Sequence, residues 1–195
     1  MGRFKSLFSK VYSDIKNTFQ KERDFIQMRL PVHNITEEFE YNLKEKIMES
    51  NIKTEIREAT ENDIESLIDL HNRAWHSTPM PYTPLTKERI NEILNDESII
   101  FLIAKVEGQD SGFALIYFTS KDKLVGIIAG LGIIPELQRK GLGTVLGIAS
   151  WNLFKKKGVK ELRCKVYKDN KVSYSFIRGL GFEEYDEDFV TWKIF

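Results

Sequence analysis

Three apolar runs rich in β-branched residues, at 99–106, 112–118 and 124–134, follow one another with only short polar breaks. Such runs predict strands, and breaks of a few residues join consecutive strands into antiparallel hairpins. The tripeptide at 121–123 is predicted to be the turn between the last two runs. The fold must therefore be organised around a sheet, which the flanking segments have to cover.

Segments with helical spacing lie on both sides of these runs. Before them we predict a strand at 53–59, a helix entered from Thr60, a proline-rich loop up to Thr86 and a short helix. After them we predict a helix at 144–154, a strand at 160–167, a helix at 171–180 and a closing strand at 189–195. This order of strands and helices indicates an α/β (α+β) domain with a mixed sheet.

The first 50 residues are predicted to be a helical N-terminal extension of a domain at 51–195. Residues 1–29 carry seven Lys or Arg against three Asp or Glu, and a second helix is predicted from Thr36 to about residue 50. Such a basic amphipathic helix can dock on its own domain, on a second copy to give a homodimer, or on a membrane or partner. Its apolar stripe, at steps of three and four, consists of Phe4, Leu7, Phe8, Val11, Tyr12, Ile15 and Phe19.

The composition narrows the class of protein. The 195 residues have a formal net charge of zero, so nothing favours nucleic acid as a partner. No apolar run approaches the roughly 18 residues of a membrane span. A single cysteine, Cys164, excludes an internal disulfide and a zinc site of several thiolates, and favours a reducing, cytoplasmic compartment. The three histidines show no ligand spacing, so no metal is predicted.

Segment 137–147, LQRKGLGTVLG, places two glycines at the start of a predicted helix. Glycines let an anion reach the unpaired N–H groups of a helix start, and Arg139 and Lys140 add positive charge there. The chain has no Walker P-loop string, and Leu146 stands where the dinucleotide fingerprint needs its third glycine. The segment therefore predicts another kind of phosphate-binding turn, with a simple strand-to-helix turn as the alternative.

This segment and its surroundings resemble the signature of the GCN5-related N-acetyltransferase (GNAT) superfamily. Residues 133–143, IIPELQRKGLG, match a strand, a proline and the Gln/Arg-x-x-Gly-x-Gly/Ala pattern that opens a helix. Residues 170–182, NKVSYSFIRGLGF, match a second block, in which an Asn opens a helix that ends at Gly-Phe. The resemblance covers about residues 52–195 and implies a mixed, mostly antiparallel GNAT-like sheet flanked by helices.

The resemblance further implies direct transfer of an acetyl group from the thioester of acetyl-CoA to an amine. The alternative is a non-catalytic acyl-CoA-binding sensor or interaction module. Residues 138–171 hold ten Lys or Arg against two Asp or Glu, which suits a phosphate-bearing ligand. The implied contacts are Leu131, Gly132 and Ile133 for the pantetheine arm, Arg139, Lys140, Gly141, Leu142, Gly143 and Thr144 for the pyrophosphate, and Asn170, Ser173 and Phe176 for the far half, with Gln138 as a further cofactor-binding residue.

The catalytic groups depart from the family pattern. The tyrosine that the family often places seven residues after the helix asparagine is Ile177 here, so Tyr174 is the candidate acid. The family's strand glutamate is also missing, because residues 126–130, GIIAG, contain no acid. His71 and His76 suit a base near neutral pH, although both can equally be surface or capping residues. The acceptor pocket is expected at Trp75, His76 and Tyr82.

Overall fold

The computed structural model describes residues 24–48, 52–80, 82, 84–118 and 124–185. The strands are β1 (Phe25–Pro31), β2 (Thr54–Glu58), β3 (Ile99–Val106), β4 (Gln109–Phe118), β5 (Val125–Ile133), β6 (Glu161–Tyr167) and β7 (Glu183–Glu184). The helices are α1 (Glu37–Met48), α2 (Ile64–His76), α3 (Lys87–Leu94), α4 (Leu142–Lys156) and α5 (Lys171–Gly179). The turn predicted at 121–123 and the strand predicted at 189–195 lie outside the described residues.

The strands form one sheet in the order β2-β3-β4-β5-β6-β1-β7. All neighbours are antiparallel except β5 and β6, which are parallel and joined through α4. The antiparallel meander from β2 to β5 follows from the apolar runs and from tight connections such as Glu107-Gly108, where both residues have positive φ. The predicted mixed, mostly antiparallel sheet is confirmed.

Helices cover both faces of the sheet. On one face, α2 and α3 bury an apolar stripe that includes Leu67 and Ile90 against Phe101 and Phe113 of the strands. On the other face, α4 contributes residues such as Trp151, which is fully buried. The sheet is thus buried between two helical layers, which explains why its central strands are continuously apolar.

The prediction that residues 1–50 are a helical extension is wrong for residues 25–31. These residues form β1, which pairs with β6 along its whole length and with β7 on its other side. Met28 and Leu30 point into the core and are almost fully buried, whereas Arg29 points outward and binds Glu183. This alternation is the period of a strand, so β1 belongs to the main sheet. The helix predicted over the first residues lies outside the described ranges, apart from its last few positions.

The second helix predicted in this region is confirmed as α1. The Phe39 N–H donates to Thr36 Oγ1 at 3.1 Å, which caps the helix start. The Phe39 ring stacks on Trp151 of α4 with centroids 6.0 Å apart, and Glu40 pairs with Lys155. The described part of the extension, from residue 24 onward, is therefore integral to the sheet and to its outer helical layer.

Candidate functional site

The sheet opens between β5 and β6. These strands pair in parallel over three residue pairs only, the last being Ile127 with Arg163. Beyond that point, β5 stays paired with β4 as far as Ile133, and β6 stays paired with β1 as far as Tyr167. A wedge-shaped gap, which we call the β5–β6 opening, therefore exposes one edge of β5.

A β-bulge lies where the opening begins. Leu115 of β4 pairs with Gly130, and the next residue, Ile116, pairs with Ile128, so that Ala129 has no residue opposite it. A bulge bends its strand and increases the local twist. The bend accounts for the divergence of the second half of β5 from β6.

The edge of β5 does not present all of its backbone groups to the opening. The Ile134 N–H donates to the Ser111 carbonyl at 3.1 Å, so the backbone of Gly132, two residues earlier, also faces β4. Leu131 and Ile133 therefore direct their N–H and C=O groups towards the opening. This corrects the expectation for Gly132. What Gly132 provides instead is space, because a Cβ there would lie 2.5 Å from the Phe113 ring and 2.9 Å from Ala74 Cβ.

The loop from β5 to α4 contains two residues in the left-handed region, Arg139 with φ 59° and Gly141 with φ 87°. Left-handed residues in a turn curve the backbone so that successive N–H groups converge, which makes an anion-binding concavity. Gly141 is the N-cap of α4 and offers no side-chain cap to the first N–H groups. The exposed side chains of Arg139 and Lys140 add charge at the same place.

Three predicted cofactor segments meet at the start of α4. A Cβ on Gly143 would lie 3.1 Å from the Phe176 ring of α5 and 3.8 Å from Leu131 Cδ2 of β5. The glycine at 143 therefore allows β5, α4 and α5 to approach one another closely. The residues predicted from separate motifs, Leu131, Gly143 and Phe176, form one contiguous surface.

Asn170 has a structural task in this surface. Its Oδ1 accepts a hydrogen bond from the Ser173 N–H at 3.0 Å, and its side chain is the N-cap of α5. The residue is only 5% exposed. The same bond occupies the Ser173 backbone, so the cap fixes α5 while Ser173 and Phe176 carry the predicted contact surface.

The predicted catalytic residue, Tyr174, points away from this surface. Its hydroxyl donates to Glu184 Oε1 of β7 at 2.5 Å, and this bond raises the pKa of the phenol. Because Tyr174 and Phe176 are two residues apart on a helix, they lie about 200° apart around its axis. This geometry is at odds with an acid at the opening. Ile177, at the family's tyrosine position, is buried in the core.

The three predicted acceptor residues do come together. The ring of Tyr82 stacks on His76 with centroids 4.6 Å apart, and its hydroxyl donates to Asn72 Oδ1. Trp75 stacks on His71 with centroids 4.8 Å apart, and His71 lies 6.1 Å from the Tyr82 ring. The aromatic cluster at the end of α2, as we name it, comprises His71, Trp75, His76, Tyr82 and Phe113.

Two polar atoms in the aromatic cluster are buried without a hydrogen-bond partner among the described residues, His71 Nδ1 and Trp75 Nε1. Burial lowers the pKa of His71, a hydrogen bond with the Asn72 side chain opposes this shift, and the nearby His76 adds to it. A buried polar atom without a partner costs about 1–3 kcal/mol, so the cluster is suited to a ligand that supplies partners.

Gln138 connects the aromatic cluster to the cofactor loop. Its Nε2 donates to Ser77 Oγ at the end of α2 at 2.9 Å, and to the Ile133 carbonyl at 3.0 Å. The side chain that was predicted to bind cofactor therefore joins α2 to β5. Arg73 makes a second link, since it contacts Glu136 of the loop at 3.2 Å.

Sequence reasoning missed Phe113, Asn72 and Ser77. Asn72 lies four residues before His76, so helical spacing could have placed the two side by side. Phe113 lies opposite Gly132, but that register depends on the bulge, which the sequence does not mark. Ser77 has no local signal, because its partner Gln138 is 61 residues away.

Few other groups in the described ranges suggest chemistry. Cys164 is buried on β6, and burial raises the pKa of its thiol to about 12. It is therefore a neutral core residue and not an activated nucleophile. No three His, Cys, Asp or Glu residues of these ranges are placed to share a metal ion. Nor does any helix within them have the length and apolar character needed to cross a bilayer.

Comparison with known proteins agrees with this geometry. The family model described as acetyltransferase (GNAT) family matches residues 64–182. Spermidine N(1)-acetyltransferase of Thermoplasma acidophilum is 29% identical over 153 residues, which are 69% of this chain and 91% of that protein.

Two solved structures show the same architecture. PaiA N-acetyltransferase from T. acidophilum, in complex with coenzyme A, superposes with a TM-score of 0.63 and 25% identity, covering 70% of this chain and 93% of that one. The ribosomal-protein-S18-alanine N-acetyltransferase from Escherichia coli, at 20% identity and a TM-score of 0.59, shares the fold over 69% of this chain and 80% of that one.

The family match spans the segments from which the site is built. It includes α2 with its aromatic cluster, the β5–β6 opening, the glycine loop and α5. The resemblance drawn from 133–143 and 170–182 is thereby confirmed, and the non-catalytic alternative is not favoured. The chain belongs to the acetyltransferase (GNAT) family, as an N-acetyltransferase whose acyl donor is acetyl-CoA.

Proposed function

We propose that acetyl-CoA lies in the β5–β6 opening, with its pyrophosphate at the start of α4, and that a small primary amine reaches it from the side of α2. One observation carries this proposal: the exposed edge of β5 leads directly to a helix start that has no side-chain cap. An edge of free backbone groups suits the amides of the pantetheine arm, and an uncapped helix start suits phosphate.

Each part of the opening has a task in this proposal. Leu131 offers both backbone groups to the arm and Ile133 offers its N–H, since its carbonyl is bound by Gln138. The N–H groups of residues 142–144 and the charges of Arg139 and Lys140 hold the pyrophosphate. Ser173 and Phe176 flank the far half of the cofactor.

The acceptor amine binds at the aromatic cluster. Trp75, His76 and Tyr82 give a partly apolar slot, and α2 places it directly against β5, where Ala74 meets Gly132. In the reaction, the neutral amine attacks the thioester carbon, the C–N bond forms, and the C–S bond breaks with its electron pair leaving on sulfur. The name of the spermidine acetyltransferase relative makes linear polyamines the first acceptors to test.

The test is release of free thiol from acetyl-CoA by the full chain, with polyamines, an aminoglycoside and peptides bearing a free N-terminus as acceptors. We expect release that depends on a polyamine and exceeds the rate without acceptor. Binding of CoA by calorimetry, without release for any acceptor, would instead favour the sensor. Failure to bind CoA would refute both functions.

The remaining predictions concern partners and location. Three expectations stay predictions from the sequence. The protein forms a homodimer through its N-terminal helix, neither nucleic acid nor a membrane is among its partners, and it is cytoplasmic. Removal of residues 1–23 tests the first, because it leaves β1 intact. We expect the full chain to sediment as a dimer and the truncated chain as a monomer. The same number of subunits per particle in both would contradict a dimer formed through the N-terminal helix.

A further inference from the structure

His71 is the histidine of the aromatic cluster that lies next to the sheet. Its ring centroid is 6.2 Å from that of Phe113, and the Phe113 ring in turn lies so close to Gly132 that a Cβ there would be 2.5 Å from it. Only one aromatic ring therefore separates the imidazole from β5. The helical position explains this placement, because His71 lies four residues after Leu67 and three before Ala74, both of which are buried against the sheet.

The Nδ1 atom of His71 is buried and has no hydrogen-bond partner within the described ranges, and the adjacent Trp75 Nε1 is in the same state. Stacking holds both rings in place, so neither atom can readily turn to find a partner. The indole nitrogen is only a donor, whereas a neutral imidazole nitrogen can accept a proton. A ligand with an ammonium group meets this requirement at His71.

We propose that His71 is the proton acceptor for the amine substrate, an inference that rests on the proposed function. The ammonium form of the acceptor gives one proton to Nδ1, which leaves a neutral amine and an imidazolium. The amine then attacks the thioester carbon, and the C–S bond breaks. The proton lost by the new amide nitrogen passes to the departing sulfur. The imidazolium later releases its proton to solvent, so the reaction transfers one acetyl group to the amine and releases one proton overall.

The surroundings of His71 keep it in the accepting form. Its pKa is lowered by burial and by the neighbouring His76, and is only partly restored by Asn72. Among the described residues, Tyr82 from the loop also faces it, while β4 contributes the Phe113 ring and β5 contributes Gly132. Since a lowered pKa means a neutral imidazole at pH 7, the group can accept a proton there and loses that ability as the pH falls.

The other candidates in this part of the fold are worse placed. His76 is exposed, and it stacks on Tyr82. Tyr174 is bound to Glu184 on the far side of α5. Residues 126–130 of β5 contain no acid. The described geometry thus singles out His71, the half-buried histidine of the cluster whose Nδ1 is buried.

The test compares His71→Gln with wild type, using the best acceptor found by thiol release. We expect kcat to fall at least about a hundredfold, in line with the usual contribution of a general base, while the Kd for CoA stays unchanged. We also expect the acid limb of the wild-type pH profile of kcat/KM to disappear. The loss should shrink for an acceptor amine of low pKa, which is already neutral at pH 7.

The other two histidines of the chain, His33 and His76, provide matched controls. His33 lies in the turn that follows β1, next to Lys155 at the end of α4, and His33→Gln should leave every parameter unchanged. An acid limb that survives His71→Gln, or that disappears in His76→Gln instead, would overturn the proposal. The proposal would also be overturned if His71→Gln lowered kcat equally for acceptors that are ammonium ions at pH 7 and for acceptors that are neutral there. His71→Asn replaces the first variant if CoA binding or circular dichroism shows misfolding. A wild type that turns over no amine would overturn the proposed function and this assignment together.

Discussion

The start of α4 and the start of α2 treat the same backbone groups in opposite ways. The 3-10 turn Glu61–Asp63, which leads directly into α2, begins with a capping box of Thr60 and Asp63, in which the Thr60 N–H donates to Asp63 Oδ2 at 2.8 Å. Arg57 clamps the same carboxylate with two hydrogen bonds, at 2.6 and 2.8 Å. At α4, Gly141 contributes no side chain at all. The first start is closed by the protein's own side chains, whereas the second has no side-chain cap and is the proposed site of the pyrophosphate.

The remaining α-helices of the described ranges are also capped by a side chain at their starts. α1, α3 and α5 begin with Thr36, Thr86 and Asn170, and each side chain accepts from the backbone N–H three residues later. Unpaired N–H groups at a helix start cost stability unless something binds them. The start of α4, which has no side-chain cap and lies beside Arg139 and Lys140, therefore supports the proposed pyrophosphate site, and substitutions at the different starts should separate affinity from stability.

The largest effect is expected for Gly141→Val. A φ of 87° strongly disfavours a β-branched residue, so the loop must rearrange, and the N–H groups that follow lose their direction. We expect the Kd for CoA to rise about a hundredfold, because hydrogen bonds to charged groups contribute about 1.5–3 kcal/mol each. Isothermal titration calorimetry measures this.

Gly108→Val is the matched control for Gly141→Val. Gly108 has a similar φ of 81° and a Cβ there would meet no other atom within 4 Å, but it lies in the β3–β4 turn. Both variants should lose comparable stability from backbone strain, and only the one at 141 should lose CoA. Equal Kd values for the two variants would contradict the assignment of the anion site.

Next in size is the effect of Asp63→Asn, which acts on the capped entry to α2. The substitution removes the ionic partner of Arg57, and we expect the free energy of unfolding to fall by about 2 kcal/mol, as urea denaturation would show. The Kd for CoA should not change. Glu183→Gln is the control: it breaks the exposed pair with Arg29 and should cost less than about 1 kcal/mol.

Asp63→Asn should also alter the dependence of stability on pH. The Arg57 guanidinium holds the pKa of Asp63 well below its usual range, whereas in the unfolded chain it is about 4. Below pH 4 the unfolded state therefore binds more protons than the native state, and stability is lost as the pH falls. Asp63→Asn should make the free energy of unfolding depend less steeply on pH below pH 4. An unchanged slope would contradict the ion pair of Asp63 with Arg57 as its cause.

Asn170 is an intermediate case, since it caps α5 but was predicted to contact the cofactor. Asn170→Ala should cost about 1 kcal/mol of stability as a lost cap. Asn170→Asp keeps the accepting oxygen and should restore that stability. If the side chain only caps, the Kd for CoA stays within about threefold in both variants. A tenfold weaker Kd in Asn170→Asp alone would show that its charge meets the phosphates.

These starts also show what the sequence could and could not predict. The loop at 139–143 and the entry at Thr60 were recognisable because their chemistry is encoded in a few adjacent residues. β1 was missed, since its strand period occupies only seven residues after a long basic helical pattern. The directions of Tyr174 and Gln138 depend on Glu184 and Ser77, whose positions are set by tertiary packing. Sequence patterns of a few adjacent residues therefore predict backbone sites such as the 139–143 loop well. They predict poorly where a side chain points when its partner lies in a distant segment.

The smallest effect is expected for the cations beside the uncapped start of α4. Arg139→Gln and Lys140→Gln each remove one exposed charge, and solvent screens such charges strongly. We expect the Kd for CoA to rise only about threefold in each, and the difference from wild type to shrink as the salt concentration increases. Lys156→Gln, which removes an exposed charge at the opposite end of α4, should have no effect. A loss that persists in high salt would mean that Arg139 or Lys140 binds phosphate through directed hydrogen bonds, which would shift part of the affinity from the helix start to these side chains.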